Sequence, residues 1–235
     1  MKKFIICFVL FGLTHAIFSK EPNLSLRFKL SYNSFDMHEL KDFQTTLASV
    51  YRGIMDIPVK EFENFPNYFG LQLEFYNQWL KGNPIGIYVE YTSTGSRIHY
   101  SDYSGMLNID QIINRISLGV CGERCIYPFK SSNIMFNIYL GLIRSNYSIN
   151  EKLKIGENAL STVTRFYGYS IGIEPNLSYQ LSIHSYMFLI GIGYQIDFPI
   201  RNLKSDEYEL RDSRNNSINP GWSGLRLNIS IGYNF

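Results

Sequence analysis

The last eleven residues of the chain alternate strictly between apolar and polar side chains. The apolar positions are Leu225, Leu227, Ile229, Ile231, Tyr233 and Phe235. Strict period-two alternation indicates a β-strand with one apolar and one polar face. The apolar series closes on two aromatic residues, which is unusual for a strand of a soluble sheet. This segment therefore restricts the fold to one built on two-sided β-strands.

Seven earlier segments show the same alternation, so the sequence predicts eight strands. They are residues 24–32, 69–79, 85–92, 112–120, 134–142, 167–177 and 188–196. A length of 235 residues is compatible with a single closed β-domain.

The N-terminus has the organisation of a secretory signal peptide. Two lysines precede an apolar run over residues 4–13, and small residues follow it. This run is shorter than the roughly 20 residues that a membrane-spanning helix needs. The sequence therefore predicts a signal peptide over residues 1–19, cleaved after Ala16 or Ser19, and a mature domain over residues 20–235.

Alternation alone leaves open whether the apolar face points into the barrel, as in soluble barrels, or outward to lipid. Three patterns favour the lipid-facing arrangement. The polar face is rich in Gly and Ser, long polar connections alternate with compact ones, and aromatic residues fall near strand ends. Those aromatic residues are Tyr32, Trp79, Tyr91, Tyr179, Tyr194, Tyr233 and Phe235. We therefore predict an all-β, eight-stranded, antiparallel up-and-down transmembrane β-barrel with both termini in the periplasm.

Two segments carry a resemblance to a known class of proteins. The terminal strand with Tyr233 and Phe235 resembles the C-terminal assembly strand of bacterial outer-membrane barrels, although Gly232 lies closer to the end than usual. Residues 172–194 resemble the glycine-and-tyrosine hairpin of small eight-stranded outer-membrane proteins of the OmpX-like and OmpA-barrel kind. This resemblance implies an outer-membrane location, but a shared fold does not supply a function.

The resemblance also implies partners. They are outer-membrane lipid and lipopolysaccharide, the periplasmic chaperones and the barrel-insertion machinery, and we expect a monomer. The 22 basic and 20 acidic residues nearly cancel, so nothing indicates nucleic-acid binding. No feature predicts a cofactor.

Charged residues on the polar faces are predicted to meet inside the barrel. Counted from the periplasmic strand ends, six of them fall near one level: Arg27, Lys29, Glu74, Glu90, Arg115 and Glu174. Because an eight-stranded barrel has an interior just filled by side chains, we predict a neutral ionic cluster that plugs the lumen. Gated conductance and catalysis by these carboxylates are the alternatives.

Cys121 and Cys125 are the two cysteines outside the signal peptide, and we place them at the periplasmic turn between strands four and five. In an oxidising compartment, two cysteines this close predict a small disulfide loop. Free thiols and a metal site are the alternatives, and no nearby His or Cys completes a metal site.

His99 and Ser101 form a His-x-Ser pair predicted to face outward at the outer-leaflet level. The pair resembles the active strand of the outer-membrane lipid A 3-O-deacylases. Those enzymes also need a carboxylate about a dozen residues further on, where this chain has Ile113, and Asp102 and Asp110 lie at other spacings. We therefore expect a protein that is not an enzyme.

The two longest connections are predicted to differ. In the first, apolar residues recur at three- and four-residue steps, which predicts an amphipathic helix. We expect Asp36 to cap its N-terminus and Gly53 with Pro58 to end it. The helix is predicted to pack over the barrel mouth or to lie on the membrane surface. The last connection, Arg201 to Trp222, is polar and is predicted to be a solvated, mobile loop.

Two function classes remain. The leading one is a non-enzymatic surface protein whose extracellular loops serve adhesion, binding or envelope integrity. The rival is a channel or transporter for small solutes.

Overall fold

The computed structural model describes residues 24–235 except 56–57, 63, 78–83, 104, 157 and 207. The signal peptide predicted for residues 1–19 therefore lies outside the described residues, as does Trp79. The elements are β1 (Leu24–Asn33), α1 (His38–Met55), β2 (Lys60–Phe62), β3 (Tyr68–Asn77), β4 (Ile85–Ser101), β5 (Gly105–Pro128), β6 (Ser132–Ile155), β7 (Asn158–Ile183), β8 (Tyr186–Lys204) and β9 (Gly224–Asn234).

Eight of the strands form a closed antiparallel ring. The pairings follow chain order from β3 to β9, and β1 joins β3 on one side and β9 on the other. The short strand β2 lies outside the ring sequence and pairs with the distal part of β4. The predicted eight-stranded up-and-down barrel, with one helix in the first long connection, is confirmed.

The outside of the barrel is apolar over its lower part, by which we mean the end at which the chain termini lie. One row of paired, outward-facing residues across five strands reads Val89, Leu118, Leu142, Ile171 and Phe198. Leu142 keeps 65% of its side-chain surface exposed, whereas the polar residues of the same strands are buried inside. The barrel therefore has the inverted polarity that the sequence predicted.

Both faces change polarity higher on the same strands. In β5, the inward-facing residues are polar at Arg115 and Ser117 but apolar at Leu107, Ile109 and Ile113. The next outward row above the apolar rows reads Tyr91, Ile116, Arg144, Tyr169 and Arg201, and the following one reads Ser93, Asn114, Asn146, Tyr167 and Lys204. These two rows define the upper edge of the apolar band.

Several strands continue far above this edge. β5 and β6 each have 24 residues and β7 has 26, whereas about 9–11 residues suffice for a strand to span a bilayer. The polar segments after the predicted third and fifth strands are therefore not long loops. They extend β4 to Ser101 and begin β5 at Gly105, and they extend β6 to Ile155 and begin β7 at Asn158. The strand ends predicted from the sequence are therefore too early. Above the upper edge of the apolar band, inward-facing residues become apolar and outward-facing residues become polar, so the alternation changes its sense.

The upper part of the barrel encloses an apolar core. Helix α1 contributes Leu40 and Ala48, both fully buried, so it packs into the mouth, which was one of its two predicted positions. The helix starts after Met37 instead of Asp36, since the Met37 carbonyl accepts the Lys41 N–H at 3.0 Å. Among the described residues, no helix is long and apolar enough to cross a membrane.

The last long connection is not the solvated, mobile loop that its polar composition predicted. Leu210, Ile218 and Trp222 are buried in the apolar core of the upper barrel. The prediction failed because the charged residues of this segment outnumber its three apolar anchors.

Candidate functional site in the barrel interior

The lower mouth of the barrel is occupied by an ion pair between Arg27 and Glu123. The Arg27 Nη1 and Nη2 atoms lie 2.5 and 2.8 Å from the Glu123 carboxylate oxygens. The guanidinium carbon lies 4.3 Å from the ring centre of the buried Tyr76. Both charged side chains are buried.

Lys29 forms the next layer above this pair. Its Nζ lies 3.6 Å from Glu74 and 3.7 Å from Glu174, and 3.8 Å from the ring centre of Tyr139. The ammonium group thus sits between two carboxylates and the face of an aromatic ring, a setting that favours a buried cation. Tyr88 packs edge-to-face on Tyr139, with 5.5 Å between the ring centres.

Glu90 lies at the centre of the uppermost ionic layer. Its two carboxylate oxygens accept from Arg115 Nη2 at 2.6 Å and from Arg226 Nη1 at 2.7 Å. The Arg226 Nε lies 3.4 Å from Glu174, which connects this layer to Lys29 below. Arg115 also donates to the Gln195 side chain at 3.3 Å.

All six residues predicted for the cluster lie buried in the lumen, and five of them form one connected network. Arg27 instead pairs with Glu123 at the lower mouth. Among the described residues, the buried charged side chains are four cations and four carboxylates, so their charges cancel. They are Arg27, Lys29, Arg115, Arg226, Glu74, Glu90, Glu123 and Glu174.

Sequence reasoning missed Arg226 and Glu123. Counting residues from strand ends ignores the stagger between neighbouring strands that barrel closure imposes, and this stagger brings Arg226 to the level of Glu90. Glu123 was placed in a turn, whereas it lies within β5. The available signal was that both are charged residues at inward positions of an alternating segment.

Trp222 separates the ionic layers from the apolar core above. Its side chain is fully buried, and its Nε1 donates to the Ser145 hydroxyl at 2.8 Å. Arg115 lies beneath it, with the guanidinium carbon 5.7 Å from the indole ring centre. On the other side, Phe35 contacts the indole edge-to-face at 5.2 Å. The indole is therefore a lid on the charged network.

The helix and the last connection are held together above this lid. Glu39 of α1 accepts from the backbone N–H of Asn219 at 2.6 Å and from its side-chain amide at 2.7 Å. Further out in the same connection, the backbone N–H of Asn216 lowers the pKa of Asp212. The Asp212 Oδ1 also accepts from the Arg214 N–H at 2.8 Å, which orders the turn. We call this assembly of α1 and residues 205–223 the cap.

The predicted disulfide between Cys121 and Cys125 is wrong in this structure, in which both thiols are free. Both residues lie within β5, and the turn that follows spans residues 129–131. Four residues along an extended strand span about 13 Å, well beyond the roughly 7 Å limit between Cα atoms of a disulfide. Cys121 is buried against Tyr76 and Tyr139, and Cys125 lies at the lower mouth.

His99 and Ser101 lie on the outer face of β4, as predicted, but above the apolar band instead of at the predicted outer-leaflet level. Asp110 is engaged by Arg97 at 2.5 Å and by Asn108 at 2.8 Å, and Asp102 accepts from Tyr100 at 2.6 Å. Among the described residues, these partners of the two carboxylates do not include His99. Within the described chain, the residues of the predicted pair therefore form no nucleophile–base–carboxylate arrangement.

The two terminal aromatic residues lie on the outer face at the lower end. Tyr233 packs against Tyr186 at 5.2 Å and Phe235 at 5.1 Å between ring centres. The Phe235 N–H donates to the Leu24 carbonyl at 2.9 Å, which ties the last residue to the start of β1. Their role as an assembly signal stays a prediction.

No family model matches the chain, and no curated protein shows significant sequence similarity to it. Solved structures of outer-membrane proteins are similar to it along nearly their whole length. Neisserial surface protein A is 9% identical, with 91% of this chain and 97% of that chain covered and a TM-score of 0.39. Ail from Yersinia pestis is 11% identical, with 90% and 96% covered and a TM-score of 0.35.

LpxR from Salmonella typhimurium is a weaker match, with 8% identity, 90% and 100% coverage and a TM-score of 0.28. A second Ail structure contains the heparin analogue sucrose octasulfate. These likenesses are too distant to carry a functional argument. The strand pairing by itself gives a closed ring of eight antiparallel strands, the architecture of the small outer-membrane β-barrels that the sequence resembles.

Proposed function

We propose that the protein is a non-enzymatic outer-membrane barrel, closed to solutes, that presents an extracellular β-sheet for binding extended peptide segments. The apolar outer band supports membrane insertion, and the cap then lies on the extracellular side. The terminal aromatic residues support recognition by the periplasmic chaperones and insertion machinery. We further propose that the barrel is a monomer, because its ring of strands is closed without a partner chain.

The filled interior supports the closed state. A solute would have to pass the Arg27–Glu123 pair, the layer around Glu90 and then Trp222, all of them buried. Each ionic layer is held by carboxylates and cations within about 4 Å of each other, and leaving one partner unpaired in this interior is costly. The cap closes the upper mouth over these layers.

The rival function, passage of small solutes, is tested by planar-bilayer recording of the purified protein. We expect no stable conductance steps, because no layer of the lumen opens without separating a buried ion pair. A porin reconstituted in the same detergent serves as the positive control. Stable openings by the wild-type protein at moderate voltage would establish the channel function and reject the closed lumen.

An open strand edge above the membrane carries the binding part of the proposal. Residues 158–166 of β7 pair with β6, and the first β7 residue that pairs with β8 is Tyr167. The side chains of residues 158–163 are all exposed. The opposite edge of the projecting sheet is different, because β2 covers β4 at residues 97–99. Along the described residues, β7 therefore presents the uncovered edge.

This edge has the chemistry that strand addition requires. An exposed strand edge offers a row of unpaired N–H and C=O groups to an incoming extended peptide. Between residues 158 and 166 the one charged side chain is Arg165, and the rest are small, β-branched or apolar. Leu160 and Val163 are exposed by 68% and 53%, which provides apolar contacts on the two faces of an added strand.

Proline substitution at Val163 tests this edge. The two-residue turn after Ile155 makes Ile155–Asn158 the closing hydrogen-bonded pair, so odd-numbered β7 residues direct their N–H groups to the open edge. Val163→Pro therefore removes one free donor without removing a bond to β6. A displayed library of short peptides, selected on the wild type, is expected to yield β-branched sequences that the Val163→Pro variant does not bind.

Val163→Ala is the matched control, since it removes the same side chain but keeps the N–H group. Peptides that bind Val163→Ala and not Val163→Pro support strand addition. Peptides that bind both variants equally, or a library that yields no β-strand binders on the wild type, reject the edge as the binding site.

A further inference from the structure

The two free thiols lie in a part of β5 that the sheet holds extended. Cys121 pairs with Gly86 of β4 and with Tyr139 of β6. Cys125 pairs with Met135 of β6. The two cysteine Cα atoms are therefore about 13 Å apart, whereas a disulfide needs them within about 7 Å. A bond between these thiols would pull the segment between them out of the sheet.

The packing around Cys121 leaves no room for a second sulfur. Its side chain is 2% exposed and belongs to a buried group that includes Tyr76 and Tyr139. A Cβ atom added at Gly86 would lie 3.0 Å from both the Cys121 Sγ and a ring carbon of Tyr76, so the neighbours already touch closely. Cys125 could reach this site only by displacing the aromatic rings.

The residue midway between the thiols also depends on the extended strand. The Glu123 carboxylate binds Arg27, and its backbone N–H donates to the Pro84 carbonyl at 3.1 Å. A loop closed by a Cys121–Cys125 bond would take Glu123 out of the strand and away from Arg27. Because a buried charge without its partner is costly, the disulfide and the folded lower mouth exclude each other.

In the unfolded chain nothing holds the two thiols apart, since only Gly122, Glu123 and Arg124 separate them. Loops of about ten residues close within about 10–100 ns, whereas disulfide formation takes seconds or longer, so the ends of this loop meet many times first. Gly122 adds backbone freedom to the loop. The folded barrel does not require this glycine, because a Cβ atom there would meet nothing closer than 3.9 Å.

We propose that Cys121 and Cys125 are a site of thiol oxidation in the unfolded chain, and that their disulfide blocks assembly of the barrel. One thiolate attacks a disulfide oxidant, and the second thiolate then attacks the mixed disulfide. Two hydrogens pass to the oxidant, which leaves as two thiols, and a dithiol reductant restores both protein thiols by the reverse exchange.

The partner that this chemistry requires is a thiol–disulfide oxidoreductase that keeps the exported chain reduced until it folds. The proposed outer-membrane location supplies the oxidising compartment that the chain must cross. The inference is otherwise independent of the proposed function, because it uses neither the β7 edge nor the closed state of the lumen.

Refolding of residues 20–235, which contain the whole ring of strands and lack Cys7, tests the proposal. The urea-unfolded chain is either kept reduced or treated with oxidised glutathione, and the form lighter by two hydrogens is isolated. Each form is then transferred into phospholipid vesicles without reductant. We expect the oxidised form to give about tenfold less heat-modifiable barrel, because Arg27 loses its partner, and dithiothreitol to restore the yield.

Cys121→Ala/Cys125→Ser is the matched control, because this double variant passes through the same treatment but forms no bond. We expect it to fold equally after both treatments. The order of treatment gives a second control, since wild-type protein that is folded first and oxidised afterwards should contain no intramolecular disulfide. Equal folding of the oxidised and reduced wild type, an equal loss in the double variant, or formation of the bond in the folded barrel overturns the proposal.

Discussion

Replacing Arg115 with methionine is expected to lower the free energy of unfolding by about 3–5 kcal/mol, because the substitution leaves buried carboxylate charge short of a partner. Arg115 is 1% exposed and lies 2.6 Å from Glu90. After the substitution Arg226 alone faces Glu90, and it also serves Glu174. The measurement is urea unfolding in phospholipid vesicles, followed by the loss of heat-modifiable gel migration.

Arg165→Met is the matched control, since Arg165 is an exposed residue of β7 and its substitution is expected to change stability by less than about 0.5 kcal/mol. A second comparison is Arg115→Met combined with Glu90→Gln, which removes one charge of each sign. We expect this double variant to lose less than the sum of the two single variants. An unchanged unfolding midpoint for Arg115→Met would contradict a coupled ionic interior.

Replacing Trp222 with alanine is expected to loosen the cap while the barrel remains folded. The fully buried indole packs between Arg115 and Phe35, and truncation of a buried Trp costs about 3–5 kcal/mol. If cleavage follows the population of the open cap, trypsin should cut at Arg211 and Arg214 about a hundredfold to several thousandfold faster than in the wild type. The readout is the cleavage rate together with retained heat-modifiable migration.

Ser145→Ala separates the hydrogen bond from the packing. It removes the acceptor of the Trp222 Nε1 at 2.8 Å and leaves the indole in place, so we expect a smaller loss of about 1–3 kcal/mol. The cap should then stay more protected than in Trp222→Ala. Equal cleavage rates for the wild type and Trp222→Ala would show that the indole does not hold the cap.

The strands of a closed barrel of this kind can be predicted from sequence because each strand shows its own alternation of apolar and polar residues. Each lower strand alternates between lipid-facing and lumen-facing residues, so segments such as 85–92 and 225–235 reveal both their structure and their faces. The six cluster residues were predicted in the same way, because they are charged residues on the polar faces of the strands. The helix was visible because its buried residues, including Leu40, recur with helical spacing.

The predictions that failed concern strand lengths, ion-pair partners and the disulfide. These features depend on the solvent and on neighbouring strands, which the alternation within one strand does not show. Above the apolar band, water replaces lipid outside the barrel and apolar side chains replace polar ones inside, so the extensions of β5 and β6 looked like loops. The partner of Arg27 and the inclusion of Arg226 depend on strand stagger. Cys121 and Cys125 are near in sequence, but an extended strand carries them apart.

The sequence by itself determined that the chain forms eight two-sided strands and which side chains share a face. The reason is that successive side chains of a strand point to opposite faces. The tertiary structure decided which charges meet in the interior, that Trp222 packs near Arg115, and that residues 158–163 at the edge of β7 are exposed. These properties depend on the closure and stagger of the ring, which set the height of each residue relative to strands far away in the chain.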